Sequence, residues 1–396
     1  MTVAKHETML NLAAHPLMWP LVRIARRIAP VWRVPGLGIV VSGAEFAREV
    51  LTRDSEFTKN GPGSFAQALT LGLGPKALGN MDGEEHRHMR ASLADVLAPE
   101  RSAALVQGRA AELESMCARL VRGDIVDLAD FMRTWSGRIA FDVLGISPPV
   151  GKEEEASRDI VRLSGRMASV LGFRRPSAAQ VRDALADRER LSVYFRDAYN
   201  IPAQPDSLVG RLQRLGLSFD AAAGILLIFV IGGTLTTSAA LPRIVALLID
   251  NGLVGRIANE SARIPQVVDE GLRFITPLPG TVRIAERDAV VVGRKISAGS
   301  RIVILTCNMA RDPLLYSHPD QFDIERKHDS RVGRLWFGAG PHRCAGFHLA
   351  QRELIAALTA LAGTRRNFRV VRRSTTRGAL LPAYSELLIQ ATDELG

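Results

Sequence analysis

The chain has 396 residues, 47% hydrophobic and 23% charged, with a formal net charge of +10. It exceeds the usual single-core size, yet no Pro/Gly/Ser linker, repeat or low-complexity tract divides it, so one domain over 1–396 is expected. Three cysteines without paired spacing argue against a secreted disulfide framework. No basic run with interleaved aromatics points to nucleic acid, so scattered arginine on helix faces accounts for the charge.

The longest N-terminal run free of formal charge, Thr8 to Val22, is interrupted by Asn11, Pro16 and Pro20. It falls short of the roughly 20 apolar residues a spanning helix needs, so no membrane span or signal peptide is expected. Leu21, Ile24, Ala25 and Ile28 share one helical face, with Arg23, Arg26 and Arg27 around it. An ordinary amphipathic helix packing that face inward is expected; a helix resting on a membrane surface is the alternative.

Val31 to Val41, turning at Pro35-Gly36, reads as a β-hairpin, and Ala44 to Leu51 as a helix. A Gly/Pro-punctuated loop follows from Asn60 to Gly79, with apolar residues Phe65, Leu69 and Leu71. In Met81-Asp-Gly-Glu-Glu-His-Arg-His-Met-Arg90, Asp82 is placed to cap a helix, with Glu85 three residues on. His86 and Arg90 then share a face, as two donors that can grip a carboxylate or as part of a solvated basic surface. Asp127 to Gly145 reads as a buried helix. Glu153 to Leu171 and Ala178 to Tyr199 read as two helices joined through 172–177.

Ala221 to Ile231 is an unbroken apolar run, followed by Gly232-Gly-Thr-Leu-Thr-Thr-Ser238 and more apolar residues to Ile249. Two glycines inside a buried helix cost about 1 kcal/mol each relative to alanine, and Thr or Ser can bond back and bend the helix. A weak point there marks a candidate functional stretch. Pro242 is a second break.

Glu270-Gly-Leu-Arg273 sets an acid and an arginine at i,i+3; the same spacing recurs at Glu84–Arg87 and Glu155–Arg158, so alone it says little. Val290–Ile296 and Arg301–Thr306, linked through Ala298-Gly299, are expected to pair as a hairpin. A final helix, Phe347 to Ala362, and strands at Arg369–Arg372 and Leu387–Ala391 close the chain.

Before that helix stands Phe337-Gly-Ala-Gly-Pro-His-Arg-Cys-Ala-Gly346. Glycines at 338, 340 and 346 allow a tight bend and close approach to a flat partner. Cys344 sits where unpaired N–H groups favour a thiolate, a soft ligand suited to haem iron. The residues by themselves also admit a buried structural cysteine, or zinc held with His342 and His348, although no CxxC accompanies them.

The pattern F-x-x-G-x-H-x-C-x-G resembles the haem-binding loop of the cytochrome P-450 family of haem-thiolate monooxygenases. The resemblance extends over nearly the whole chain and implies the family's mainly α fold, with a small β-rich region and haem b between a central helix and the cysteine loop. It implies Cys344 as the metal ligand, with Phe337, Gly338 and Gly346 shaping its loop. His86, Arg90, Arg283 and His342 match propionate contacts. The stretch at 232–237 resembles the oxygen-binding groove, in which Gly233, Thr236 and Thr237 would be catalytic and Thr236 would steer protons. There the family's acid is replaced by Leu235, which can neither bind nor relay a proton. Glu270, Arg273 and Arg326 match a structural triad, and Leu71, Leu235, Leu278 and Leu381 match the substrate pocket.

The implied activity is oxidation of a small or medium apolar substrate by O2. Electrons would come from NAD(P)H through an acidic ferredoxin-type donor in the cytoplasm, with Arg87, Arg334, Arg343 and Arg352 as candidate contacts. Leu235 motivates an alternative of peroxide-driven, coupling or nitrogen-oxide chemistry. A haem-linked sensor is a third possibility.

Overall fold

The computed structural model describes residues 4–394, other than 62–63, 65–69, 71–72, 75, 172–176 and 329–332. Leu71, Phe65 and Leu69 of the expected pocket loop, and most of the 172–177 connection, lie outside the described residues. Its axis is the helix Phe219–Asp250, the central helix below. Ser218 accepts from Ala221 N at its start, and 20 of its residues are buried, Ile225, Leu226 and Leu227 completely. Among the described residues it is the one helix long and apolar enough to cross a membrane, and it is mostly enclosed by protein.

Around it pack Leu128–Leu144, Glu153–Ala168, Ala178–Tyr199, Ile264–Ile275 and Phe347–Gly363, the cysteine helix. Leu128–Leu144 begins where the Asp127 carboxylate accepts from Ala129 N and Asp130 N, so the expected 127–145 element is present. The two predicted helices at 153–171 and 178–199 are Glu153–Ala168 with a 3-10 turn to Leu171, and Ala178–Tyr199. The N-cap Ser177 and Gln180 form a reciprocal capping box on the second.

Strands in chain order are β1 Val31–Val34, β2 Gly38–Val41, β3 Phe57–Thr58, β4 Val126–Asp127, β5 Thr281–Ala285, β6 Ala289–Val291, β7 Arg294–Ile296, β8 Arg301–Ile304, β9 Arg366–Thr375 and β10 Tyr384–Glu394. The main sheet runs β1-β2-β8-β5-β3, with β2 and β8 parallel. The hairpin expected at 31–41 forms. The one expected between 290–296 and 301–306 does not: 289–296 folds on itself as β6–β7, freeing β8 to lie between β2 and β5. The buried run Ile302, Val303, Ile304 is what an interior strand requires. The terminal strands β9 and β10 are longer than expected and pair with each other.

Three further expectations change. The helix Met18–Ile28 buries Trp19, Val22 and Ala25 and exposes Leu21, Ile24 and Ile28, because the inner face must fit beneath Val40, Val282 and Val303. Asp82 occupies the N-cap position of Gly83–Ser92 without a side-chain cap bond. Its carboxylate accepts instead from Thr58 Oγ1, Lys59 N at 3.0 Å and Asn60 Nδ2 at 2.8 Å, a richer donor set than a helix end offers. The two breaks in the central helix do not interrupt it. Beside Pro242, Arg243 is completely buried, donating to Glu7 (Nη2 to Oε2, 2.6 Å) and to the carbonyls of Pro382 and Ile275.

Below the cysteine helix, Arg273 donates to Glu270 through Nε at 2.7 Å and Nη2 at 2.8 Å, and to carbonyls of Ala310, Pro319 and Gln321. Arg326 Nε reaches Glu270 Oε1 at 3.3 Å. All three side chains are buried, and every donor of this group anchors loop backbone or carboxylate, so its work is to hold the chain together.

Candidate functional site

The segment 337–346 is built as a rigid presenter of Cys344. Phe337 closes a short 3-10 turn, and its carbonyl accepts from Cys344 N at 2.9 Å. Gly338 and Gly340 take φ of +75° and +67°; a Cβ on Gly340 would stand 2.3 Å from the Leu51 carbonyl oxygen. Only glycine meets both demands at 340. Gly346, with φ −86°, has an ordinary conformation.

The loop is clamped to the helix Gly83–Ser92. Arg90 Nη2 donates to the Arg343 carbonyl at 2.7 Å, and His342 Nε2 meets Asp82 Oδ1 at 2.9 Å. The rings of His86 and His342 stack, with centroids 3.9 Å apart. So the sequence-predicted His86 and His342 meet ring to ring, and Arg90 lies beside Cys344. Arg283, on β5, joins them: it is buried, faces Asp82 electrostatically and, among the described residues, donates to Thr281 Oγ1 and the Val282 carbonyl.

Lys59, which no sequence pattern singled out, completes the group. Burial, then Arg283 and Arg90, lowers its amine to about 7 against the pull of Asp82. Burial also takes Arg283 to about 10 and, with His342 and Lys59, His86 to about 3. Lys59, His86, Arg283 and His342 thus share a single carboxylate, Asp82, and Lys59, His86 and His342 are lowered further by neighbouring cations. The Nδ1 atom of His86 is buried without a hydrogen-bond partner. This donor set is under-neutralised and suits a ligand carrying more than one carboxylate.

Cys344 presents its side chain to open space. The surrounding protein is nevertheless dense enough that burial pushes its thiol up, against the Gly346 N–H, Arg90 and Arg343. The thiolate-favouring donors expected from the sequence are present, but desolvation outweighs them until a metal takes the proton's place. Cys344 is thus accessible at its surface while crowded by the protein around it. The central helix has the same character where glycines stand: a Cβ at Gly232 or Gly233 would meet nothing within 4 Å, although their neighbours Ile231 and Thr234 are buried. A soft donor, a multi-cation cradle and an open helix face together fit haem. Zinc is not supported: among the described residues no three His, Cys, Asp or Glu side chains cluster to hold a metal ion.

In the central helix Thr236 Oγ1 donates to the Gly232 carbonyl at 2.8 Å and Thr237 Oγ1 to that of Gly233 at 3.0 Å. Leu235 is half-buried and points toward Glu153–Ala168, where a Cβ on Gly165 would lie 3.8 Å from its Cδ2. Thr237 Oγ1 is also 3.2 Å from Ser136 Oγ and faces Glu353 of the cysteine helix. Glu353 was missed in the sequence, yet it lies on the stripe of Leu349 and Ala357, where a carboxylate is out of place. Burial pushes it up to about 8, opposed only by Thr237, and Oε2 has no partner.

Of the other predicted residues, Leu381 is buried and Leu278 half-buried, its carbonyl accepting from Thr306. Arg87 and Arg334 are engaged by Asp54 and Asp269. Arg343 lies over the Phe347 ring, 4.4 Å from its centroid, and Arg352 is exposed.

Helices packed about one apolar axis, with a glycine loop presenting Cys344 ahead of the last helix, make up the cytochrome P450 fold. A cytochrome P450 family model matches residues 263–376. A putative cytochrome P450 133B2 of Xylella fastidiosa is 31% identical over 215 residues, 51% of this chain and 53% of that protein. The 20-oxo-5-O-mycaminosyltylactone 23-monooxygenase of Streptomyces fradiae is 32% identical over 39% of this chain and 36% of its own length. The match thus spans about half or less of these relatives. The solved structure of P450BioI, in complex with an acyl carrier protein bearing hexadec-9Z-enoic acid, superposes with TM-score 0.82. It covers 96% of this chain and 99% of P450BioI at 20% identity, a likeness of fold.

Proposed function

We propose that this chain is a haem-thiolate monooxygenase that oxidises, chiefly by hydroxylation, a small or medium apolar molecule. The reading takes O2 as oxidant and two electrons, originating in NAD(P)H, from a ferredoxin-type donor in the cytoplasm. The observation that carries it is Cys344, exposed on a glycine loop that contacts Arg90 and His86, with Lys59 and Arg283 buried alongside. When bound, haem b supplies the oxygen activation, with thiolate donation favouring O–O cleavage. Cys344 would ligate the iron in this reading, and Lys59, His86, Arg90, Arg283 and His342 would hold the propionates. The open face at Gly232 and Gly233 leaves room for O2, and Leu278 and Leu381 contribute apolar lining.

Protons are the residues' remaining task. The Thr236 hydroxyl has its donor engaged inside the helix, so it offers lone pairs outward until it rotates. Leu235 holds no proton. Glu353, neutral near pH 7, does, and Thr237 stands between it and Ser136. Exposed Arg343 and Arg352 are the basic groups left for an acidic electron donor; Arg87 and Arg334 are already paired.

The test is reduction under carbon monoxide. The red-shifted Soret band of thiolate-ligated ferrous haem is expected from native protein and not from Cys344→Ser. Its absence from folded, haem-loaded native protein overturns the reading.

Leu235 supports a second reading, in which peroxide-driven oxidation, coupling or nitrogen-oxide chemistry replaces reductase-supported oxygenation. Leu235→Asp separates the two. A gain in product formed per electron consumed supports it; native protein that is already tightly coupled removes its motive.

A further inference from the structure

We propose that the outer face of the helix Met18–Ile28 is a docking surface for an anionic lipid bilayer, with the helix lying in the interfacial plane and not crossing it. The inner face is fully used: Trp19, Val22 and Ala25 are buried against the main sheet. On the outer face, Leu17 is 67% exposed, Leu21 56%, Ile24 50% and Ile28 56%. Spacings of four, three and four residues draw these side chains into one stripe about 16 Å long. Met9 and Leu12 of the preceding helix Ala4–Ala14 are exposed as well. A folded chain gains nothing from water on this many aliphatic side chains in line.

The charge around the stripe selects the occupant. From Thr8 to Ala44 the chain holds Arg23, Arg26, Arg27 and Arg33 and no acidic residue. Arg26 pairs with Asp320 of a neighbouring loop and fixes the helix to the body. Arg23 and Arg27 are exposed and have no ion pair among the described residues. Guanidinium groups on flexible stems beside an aliphatic stripe can reach lipid phosphates while the stripe enters the acyl boundary. A second copy of the same face would set Arg23 and Arg27 against like charges with no carboxylate to meet them, which disfavours self-association. A bilayer imposes no shape on the stripe, which contains no aromatic anchor of the kind that centres protein interfaces.

The test is co-sedimentation of the haem-loaded protein with vesicles of phosphatidylcholine alone or mixed with phosphatidylglycerol. Binding to the mixed vesicles is expected, weakening as salt is raised. Leu21→Gln with Ile24→Gln should cut the partition coefficient about tenfold or more. Arg23→Gln with Arg27→Gln should remove the preference for phosphatidylglycerol. All four positions are exposed, so unchanged thermal unfolding is the control for folding. Native protein that stays in the supernatant, or variants that bind as well as native, overturns the proposal. So does a concentration-dependent dimer abolished by Leu21→Gln, which assigns the stripe to a second copy.

Discussion

The guanidinium of Arg90 donates to the carbonyl of Arg343, 2.7 Å away, so one side chain steadies the residue beside Cys344 while belonging to the cation cluster. Its replacement should therefore act twice, on loop position and on anion binding.

Arg90→Ala is expected to speed haem loss about ten- to a hundredfold, the range for one charge-assisted hydrogen bond. Arg283→Ala should do the same without moving the loop. Haem transfer to an excess of a competing apoprotein measures both; unchanged transfer in Arg283→Ala would remove it from the cradle.

Lys59 makes the haem-free protein pH-sensitive. Its folded-state value, about 7, lies below the ordinary 10.5. Between those values the unfolded chain keeps the proton and the folded chain does not, so stability is present above about 10.5 and is lost as pH falls toward 7. Denaturant midpoints of apoprotein should rise from pH 7 to pH 10, and Lys59→Met should flatten that rise.

Glu353 has the opposite sign. Its value is raised from 4.5 to about 8, so from pH 4.5 to 8 the unfolded chain loses a proton that the folded chain keeps. Stability is full below 4.5 and falls as pH approaches 8. Glu353→Gln should be more stable relative to native at pH 8 than at pH 5, by an amount on the order of a few kcal/mol. Parallel curves would mean that the carboxyl is solvated.

Glu7→Ala should destabilise by about 3–5 kcal/mol, because Arg243 is left charged and buried. Glu7→Leu with Arg243→Met should lose much less, which equilibrium unfolding of the two variants can resolve. Equal losses would show that the pair adds net stability beyond avoiding an orphaned charge.

Much of this arrangement was legible in the sequence. Cys344, His86, Arg90, His342 and Arg283 could be placed because fixed-spacing motifs carry them. The central helix was legible because its apolar run is long. Lys59 was not, since nothing local distinguishes a lysine after a two-residue strand; its role comes from Arg283 and Asp82, distant in sequence. The amphipathic helix misled for a physical reason. It has two apolar faces, Trp19–Val22–Ala25 and Leu21–Ile24–Ile28, and periodicity cannot tell which one the sheet will cover. Strand β8 was assigned to the wrong neighbour because hairpin logic favours nearby partners, whereas the fold inserts it beside β2.

The Asp82–His342 and Arg90–Arg343 contacts join positions 260 and 253 residues apart. During synthesis on the ribosome, the first halves of these contacts emerge long before the second. The cradle can close only after residue 343 has emerged, so cofactor capture that depends on it must wait for that stretch, and products terminated before it should emerge colourless.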